Sequence, residues 1–236
     1  MDLNAIKTLH ADMPRQGPGT ADDVAWTVAR LGLQGALRVV DAGCGPGADL
    51  KHLADLLPDA TLTGIDAFPH LVAEAQARLG RRAQVVAGDM SQIEGPVDLI
   101  WCAGAVYFLG VTEALQAWRP ALADGGVVAF SEPILPEGPR EVAEDFWQAY
   151  PAITDMAGLT KRIESAGYTL IDSRDVQGRA PRWDSYFAPL ETRVAALRPT
   201  ADETLGALLD MTTREIDTWK RAPDQVFYKL CLVRPV

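Results

Sequence analysis

Apolar and polar residues alternate in two rhythms along this chain. Short apolar runs recur through the first half, and amphipathic stretches of helical period separate them. A parallel sheet with crossover helices reads this way, because strands buried on both faces need continuous apolar residues. Arg38–Asp41 ends a first strand, and Leu50, Leu53, Ala54 and Leu57 then share one helical face. Thr61–Asp66 is a second strand, followed by a helix opening near Pro69, since proline suits a first helical turn. Gln84–Val86 and Asp98–Cys102 give the third and fourth strands. A helix over 112–122 should stop at Asp124-Gly125-Gly126, ahead of strand Val127–Phe130.

The later pattern differs. Pro133, Pro136 and Pro139 mark a loop, Glu141–Tyr150 and Lys161–Ala166 read as helices, and Tyr168–Asp172 reads as a strand. A long excursion, Pro181–Ala222, precedes a last strand at Val226–Val233. Within it Leu205, Leu208, Leu209, Ile216 and Trp219 fall mostly on one helical face and are assigned to core. The expectation is one α/β domain over 1–236, a Rossmann-like doubly wound, mostly parallel seven-stranded sheet. It has an arm at 1–20, a cofactor-binding core at 38–132, and helical insertions at 133–166 and 181–222 that cap a substrate.

Composition narrows the partners. The 236 residues are 48% hydrophobic, enough for one substantial core. A net charge of −10 disfavours a phosphate backbone as ligand, which needs clustered Lys and Arg. Cys44, Cys102 and Cys231 have no metal-ligand spacing and leave one unpaired in any disulfide scheme, so a reduced cytoplasmic setting is expected. No basic leader opens the sequence, and no apolar run approaches the roughly 18 residues of a membrane span. His52 and His70 lack a second ligand at useful spacing, so no metal is expected.

The most informative stretch is Val39-Val40-Asp41-Ala42-Gly43-Cys44-Gly45-Pro46-Gly47. Alternating glycines at a strand-to-helix junction let backbone approach a ligand closely, the basis of nucleotide sites. Gly43, Gly45 and Ala48 also satisfy the dinucleotide spacing. Asp41 separates the two readings: a carboxylate there suits a cationic amino acid–nucleoside and would repel a pyrophosphate. Asp66 ends the second strand, placed either to accept both ribose hydroxyls or to cap the helix near Pro69. Asp89 is either a turn residue or an acceptor for an adenine amine, with Met90 beside it to pack on the ring.

Together these pieces resemble the class I S-adenosylmethionine-dependent methyltransferases, over at least Arg38–Glu132. The order carries the resemblance: the glycine turn, Ile65-Asp66, Gly88-Asp89-Met90, Asp98-Leu99-Ile100-Trp101, and Leu122-Ala-Asp-Gly-Gly before a strand. It implies S-adenosylmethionine as cofactor, with Gly43, Cys44, Gly45 and Gly47 under its methionine part and Asp66 on the ribose. Ala67 and Met90 would flank adenine, Asp89 would take its amino group, and the backbone of Cys102 and Ala103 would meet the methionine amine. Pro14-Arg15-Gln16-Gly17-Pro18-Gly19, Ala105-Val106-Tyr107 and Trp183-x-x-Tyr186-Phe187-x-Pro189 are similar to a little-characterised bacterial subgroup acting on small molecules. That likeness implies an arm folding over the cofactor, with Arg15 at its carboxylate unless Arg15 is simply solvated. Ala103 departs from the acidic residue frequent there.

For the acceptor, Trp101–Tyr107 lacks the Asn/Asp-Pro-Pro-aromatic motif of DNA and protein-amide methylation, which with the acidic balance argues against nucleic acid as substrate. Candidate bases are Tyr107, Glu132 and His10, with Glu132 equally readable as a surface carboxylate before Pro133. Tyr107, Trp183, Tyr186 and Phe187 are candidate walls of a substrate pocket, the last three equally readable as core. The partner is a small-molecule acceptor, with no nucleic acid or membrane, for a monomer or homodimer. A non-catalytic S-adenosylmethionine-binding protein and a nicotinamide-dependent oxidoreductase remain as rival readings.

Overall fold

The computed structural model describes residues 2–176 and 184–236. Within them lie the strands β1 (Arg38–Ala42), β2 (Thr61–Asp66), β3 (Gln84–Ala87), β4 (Val97–Cys102), β5 (Leu122–Ile134), β6 (Tyr168–Asp175) and β7 (Phe227–Pro235). They form one sheet in the order β3-β2-β1-β4-β5-β7-β6. The first five run parallel, and β7 enters antiparallel between β5 and β6. The expected mixed, mostly parallel sheet is therefore present. Strand order reverses between β1 and β4, so a crevice opens there at the carboxyl edge.

Helices cover both faces. Helices α2 (Ala21–Leu31), α3 (Ala48–Leu56) and α4 (Pro69–Leu79) bury Val24, Leu50, Leu53, Ala75 and Leu79 in one core. Helices α5 (Val111–Trp118) and α7 (Met156–Ser165) bury Leu115, Trp118, Leu159 and Ile163 in the other. The ends obey local chemistry. Thr20 and Asp23 close a capping box on α2, Gly32 ends it in the left-handed region, and Pro69 starts α4.

Three expectations need correction. The helix before β5 stops at Trp118, because Pro120 follows in a short 3-10 turn, Arg119–Ala121. Asp124-Gly125-Gly126 lies inside β5, where register with β4 shifts between Val97 and Leu99 and Gly125 takes φ 78°. The strand absorbs the glycines as an irregularity. Residues 161–166 belong to the longer α7, which packs on α5 and β6, so this part of 133–166 is a sheet-covering helix and not an insertion. The excursion after β6 holds two helices, α8 (Asp184–Leu197) and α9 (Glu203–Arg221), which pack on α1 (Leu3–His10). A further helix, α6 (Glu141–Phe146), also rests on α9. Leu208, Leu209, Ile216 and Trp219 are buried as their spacing predicts.

Candidate functional site

The turn after β1 is built by the strand beside it. Gly43 and Cys44 both donate their backbone N–H to the Ile65 carbonyl, at 2.8 and 3.0 Å. Gly45 donates to Asp66 Oδ2 at 2.9 Å, and Phe68 donates to Asp66 Oδ1 at 2.9 Å. The first two of these glycines need their missing side chain for this geometry. Gly43 has φ 77° and Gly45 φ 53°, and a Cβ on Gly43 would come within 2.7 Å of the Ala105 methyl. Gly47 has another task. It lies outside the cavity lining, and its bare Cα lets α4 approach, with Ala75 Cβ 3.0 Å from where its own Cβ would be.

Above the turn, at the carboxyl edge, lies a cavity of about 770 Å³. Asp41, Gly43, Cys44 and Gly45 form its floor. Asp66 and Ala67 from β2, and Asp89 and Met90 beyond β3, form one wall. Ala103 and Tyr107 beyond β4 form the opposite wall, and Arg15 of the N-terminal arm closes over the top. The structure thus brings together the expected cofactor residues, with Gly47 and Cys102 excepted. The Cys102 side chain is wholly buried with the side chains of α5 and α7, so the contact expected of Cys102 falls to its backbone at the end of β4.

Carboxylates dominate the floor. Asp41 is buried, and its Oδ2 has no hydrogen-bond partner. Burial first, then the neighbouring charges of Asp49 and Asp66, hold its carboxyl well above the usual range, with Arg15 pulling the other way. A cation entering here would relieve that unfavourable field. Asp49 escaped the sequence reading, although its place in the first turn of α3 was the available signal. Its Oδ1 accepts from Arg15 Nη2 at 2.7 Å and its Oδ2 from Trp101 Nε1 at 3.2 Å. Arg15 is therefore engaged and not a solvated arm residue. Asp89 accepts the Ser91 N–H at 2.8 Å, so the turn role holds while the residue also faces the cavity.

The acceptor candidates separate. Tyr107 lines the cavity, with its ring 4.3 Å from Phe108 and 5.9 Å from Tyr150. Burial raises its hydroxyl to about 12. Glu132 is fully buried and not a surface carboxylate. The Tyr150 hydroxyl donates to its Oε1 at 2.6 Å, Arg162 Nη1 stands 3.9 Å away, and Oε2 has no partner. Burial lifts the Glu132 carboxyl to about 7, against the opposing pull of Tyr150 and Arg162. No motif announced Tyr150 or Arg162, because only the fold brings them to the end of β5.

His10 does not line the cavity. Its Nδ1 lies 3.0 Å from the Ile6 carbonyl and its Nε2 3.5 Å from the Tyr186 hydroxyl, and burial lowers its pKa. Tyr186 and Phe187 are buried in the core under α8, and Phe187 meets Trp219 and Phe146 at ring distances of 5.1 and 6.4 Å. They belong to core and not to the cavity wall, because α8 turns that face toward α9. Trp183 lies outside the described residues. Among the described residues no cluster of metal-ligating side chains occurs, and no helix is long and apolar enough to cross a membrane.

Residues 39–126 match the family model of a methyltransferase domain. That segment of the chain is thus similar to a methyltransferase domain. Its curated relatives include trans-aconitate 2-methyltransferase of Paracidovorax citrulli, 35% identical over 147 residues that make up 58% of this chain and 55% of that protein. The chain spans about half the length of the curated relatives it matches. Methyltransferases of Geobacter sulfurreducens and Thiobacillus denitrificans, both solved with S-adenosylhomocysteine, superpose with TM-scores of 0.85 and 0.84 at 20% identity. Those superpositions cover 100% of this chain and 99% and 100% of the two structures. The matched segment runs from β1 to the irregularity of β5 and supplies the floor of the cavity and much of its walls.

Proposed function

We propose that this chain binds S-adenosylmethionine in the cavity above β1 and transfers its methyl group to a small molecule. One observation carries the reading. The cavity floor joins a glycine turn open to close approach with a buried, unpartnered Asp41 oxygen, a combination that fits a cationic amino acid–nucleoside. Asp41 and Ala103 would meet its amino acid part, Arg15 its carboxylate, Asp66 the ribose, and Ala67, Asp89 and Met90 the adenine. The bound group supplies an electrophilic methyl whose leaving thioether needs no protonation.

The chain's own part is then alignment, and positioning of reactants can lower a barrier by about 7–11 kcal/mol. Tyr107 stands at the boundary between the cofactor cavity and the polar cluster around Glu132, so it is the residue best placed to orient an acceptor. The reading includes a cytoplasmic location for a monomer or homodimer, and free, buried Cys44, Cys102 and Cys231 fit a reducing compartment. Calorimetry tests it directly. S-adenosylhomocysteine should bind in the micromolar range while NAD and NADP do not. The opposite pattern would remove the methyltransferase reading.

A further inference from the structure

Helix α3 begins directly after the glycine turn, so Asp49 in its first turn stands beside the cavity floor, where the helix dipole favours a carboxylate. Two donors from distant parts of the chain reach it. Trp101 of β4, buried and opposite Asp41 in the β1–β4 register, donates its indole N–H to Oδ2 at 3.2 Å. Arg15 of the arm donates from Nη2 to Oδ1 at 2.7 Å. Arg15 and Asp49 both line the cavity, and Trp101 belongs to the core that α3 covers.

The arm that carries Arg15 is tied down on either side of it. Met13 is buried in the core, the Pro14 carbonyl accepts from Arg78 Nη1 of α4 at 2.9 Å, and Thr20 opens the capping box of α2. Between these points Gly19 takes φ 150°, and a Cβ there would collide with Arg15 Nη1. Backbone and guanidinium of Arg15 are therefore both held, and Gln16, Gly17 and Pro18 continue the cavity lining beside them. A side chain whose rotamer the chain itself fixes loses less freedom when a ligand binds.

The bond to Asp49 engages Nη2 alone of the guanidinium nitrogens. Arginine carries its N–H donors in a planar fork, so Nε and Nη1 can still serve a second carboxylate. The pair presents a cation and an anion side by side to the cavity, and Asp41 lies within electrostatic reach of both. That arrangement complements an amino acid zwitterion, with its carboxylate against Arg15 and its ammonium against the aspartates.

We propose that Asp49 is a positioning residue of the cofactor site. It aims the Arg15 guanidinium at the carboxylate of the bound cofactor, so the site selects an adenosine sulfonium or thioether with an intact amino acid tail over a truncated one. This rests on the S-adenosylmethionine reading above and adds to it a residue and a basis of selectivity. Asp49 acts through Arg15, and Trp101 acts through Asp49 by pinning its other oxygen. The same bonds could instead serve as a strap that fastens the arm to α3 and reads no ligand. A strap would change the melting temperature without telling one nucleoside from another.

The test is a double-mutant cycle read by calorimetry on the full chain. Its ligands are S-adenosylhomocysteine, the decarboxylated homologue of that molecule, and methylthioadenosine. R15A should weaken S-adenosylhomocysteine about fivefold and should not weaken the other two, because neither carries the carboxylate. D49A removes a charge that also acts on the cofactor's ammonium, and that direct effect cancels when R15A is compared in the two backgrounds. In the D49A background R15A should cost about twofold or less, since an unheld guanidinium no longer faces the carboxylate. D49S, whose hydroxyl is too short to reach Arg15, serves if D49A fails to fold. No loss with R15A alone, or an equal loss for all three ligands, would overturn the proposal in favour of a strap. An R15A loss in the D49A background as large as in wild type, or larger, would also overturn it, because Asp49 would then be idle or a competitor for the guanidinium. Failure of S-adenosylhomocysteine to bind the wild-type chain would instead remove the reading beneath it.

Discussion

The two ends of the cavity are built on opposite plans. At the cofactor end, the glycines and the carboxylate lie together in one stretch, Val39–Gly47, and the adjoining strand β2 holds the turn. At the other end Tyr107 lines the cavity, and Glu132, Tyr150, Arg162 and Tyr228 behind it come from separate elements and meet because β5 reaches past the end of β4. The first end is a local motif grafted on a sheet, and the second is a product of tertiary packing. Variants should therefore separate the two, with local losses of ligand affinity at one and global losses of stability behind the other.

The sharpest separation comes from Phe187. It is 1% exposed and held between Trp219 and Phe146, so Phe187→Ala should cost about 3–5 kcal/mol in urea unfolding. Whatever remains folded should bind S-adenosylhomocysteine as before. A stable variant with weakened acceptor binding would return Phe187 to the substrate pocket.

Glu132 gives the next effect and a sign that can be worked out. Its carboxyl titrates at about 7 in the folded chain against 4.5 when unfolded. The folded state thus holds the extra proton between those values, and the stability this confers is complete below the lower one and lost as pH rises through the upper. E132Q carries no charge at any pH. Relative to wild type it should gain on the order of 3 kcal/mol on going from about pH 4 to about pH 8. A difference between the two proteins that does not change with pH would mean the folded carboxyl is ordinary.

At the cofactor end, Asp66→Ala should weaken S-adenosylhomocysteine binding by about 1.5–3 kcal/mol, the range for hydrogen bonds to a charged group. It should also lower the melting temperature, since Gly45 and Phe68 lose their acceptor. A lowered melting temperature with unchanged affinity would leave Asp66 as an anchor of the turn alone. The smallest effect belongs to Arg15. Its pair with Asp49 is partly exposed, so Arg15→Ala should cost roughly 1 kcal/mol in cofactor affinity and little in stability. No change in calorimetric affinity would make the arm a spectator.

The same division explains what the sequence disclosed. The strands, Pro69 as a helix start, and Asp41, Gly43, Gly45, Asp66, Ala67, Asp89, Met90 and Ala103 on one cavity were legible because short-range spacing determines them. Gly47 misled because a glycine that admits a helix and one that admits a ligand look alike in sequence. Asp124-Gly125-Gly126 misled because a strand irregularity and a helix stop use the same residues. Tyr186 and Phe187 were ambiguous between wall and core, and only the seating of α8 on α9 and α1 decides it. Tyr150 and Arg162 had no signal at all, since their partner is 18 residues away in one case and across the sheet edge in the other.

The bonds from Ile65 and Asp66 into the glycine turn bear on the kinetics of ligand exchange. Three N–H groups of the turn, on Gly43, Cys44 and Gly45, have acceptors on β2, within the chain itself. The shape of the turn is thus set by the chain's own bonds and does not depend on bonds to a ligand. Ordering a loop on binding subtracts from affinity, at about 0.5–1.5 kcal/mol for each mobile side chain immobilised. Here that entropy was spent when the sheet folded, so association at the glycine turn should proceed as a rigid-body encounter with no slow rearrangement after contact.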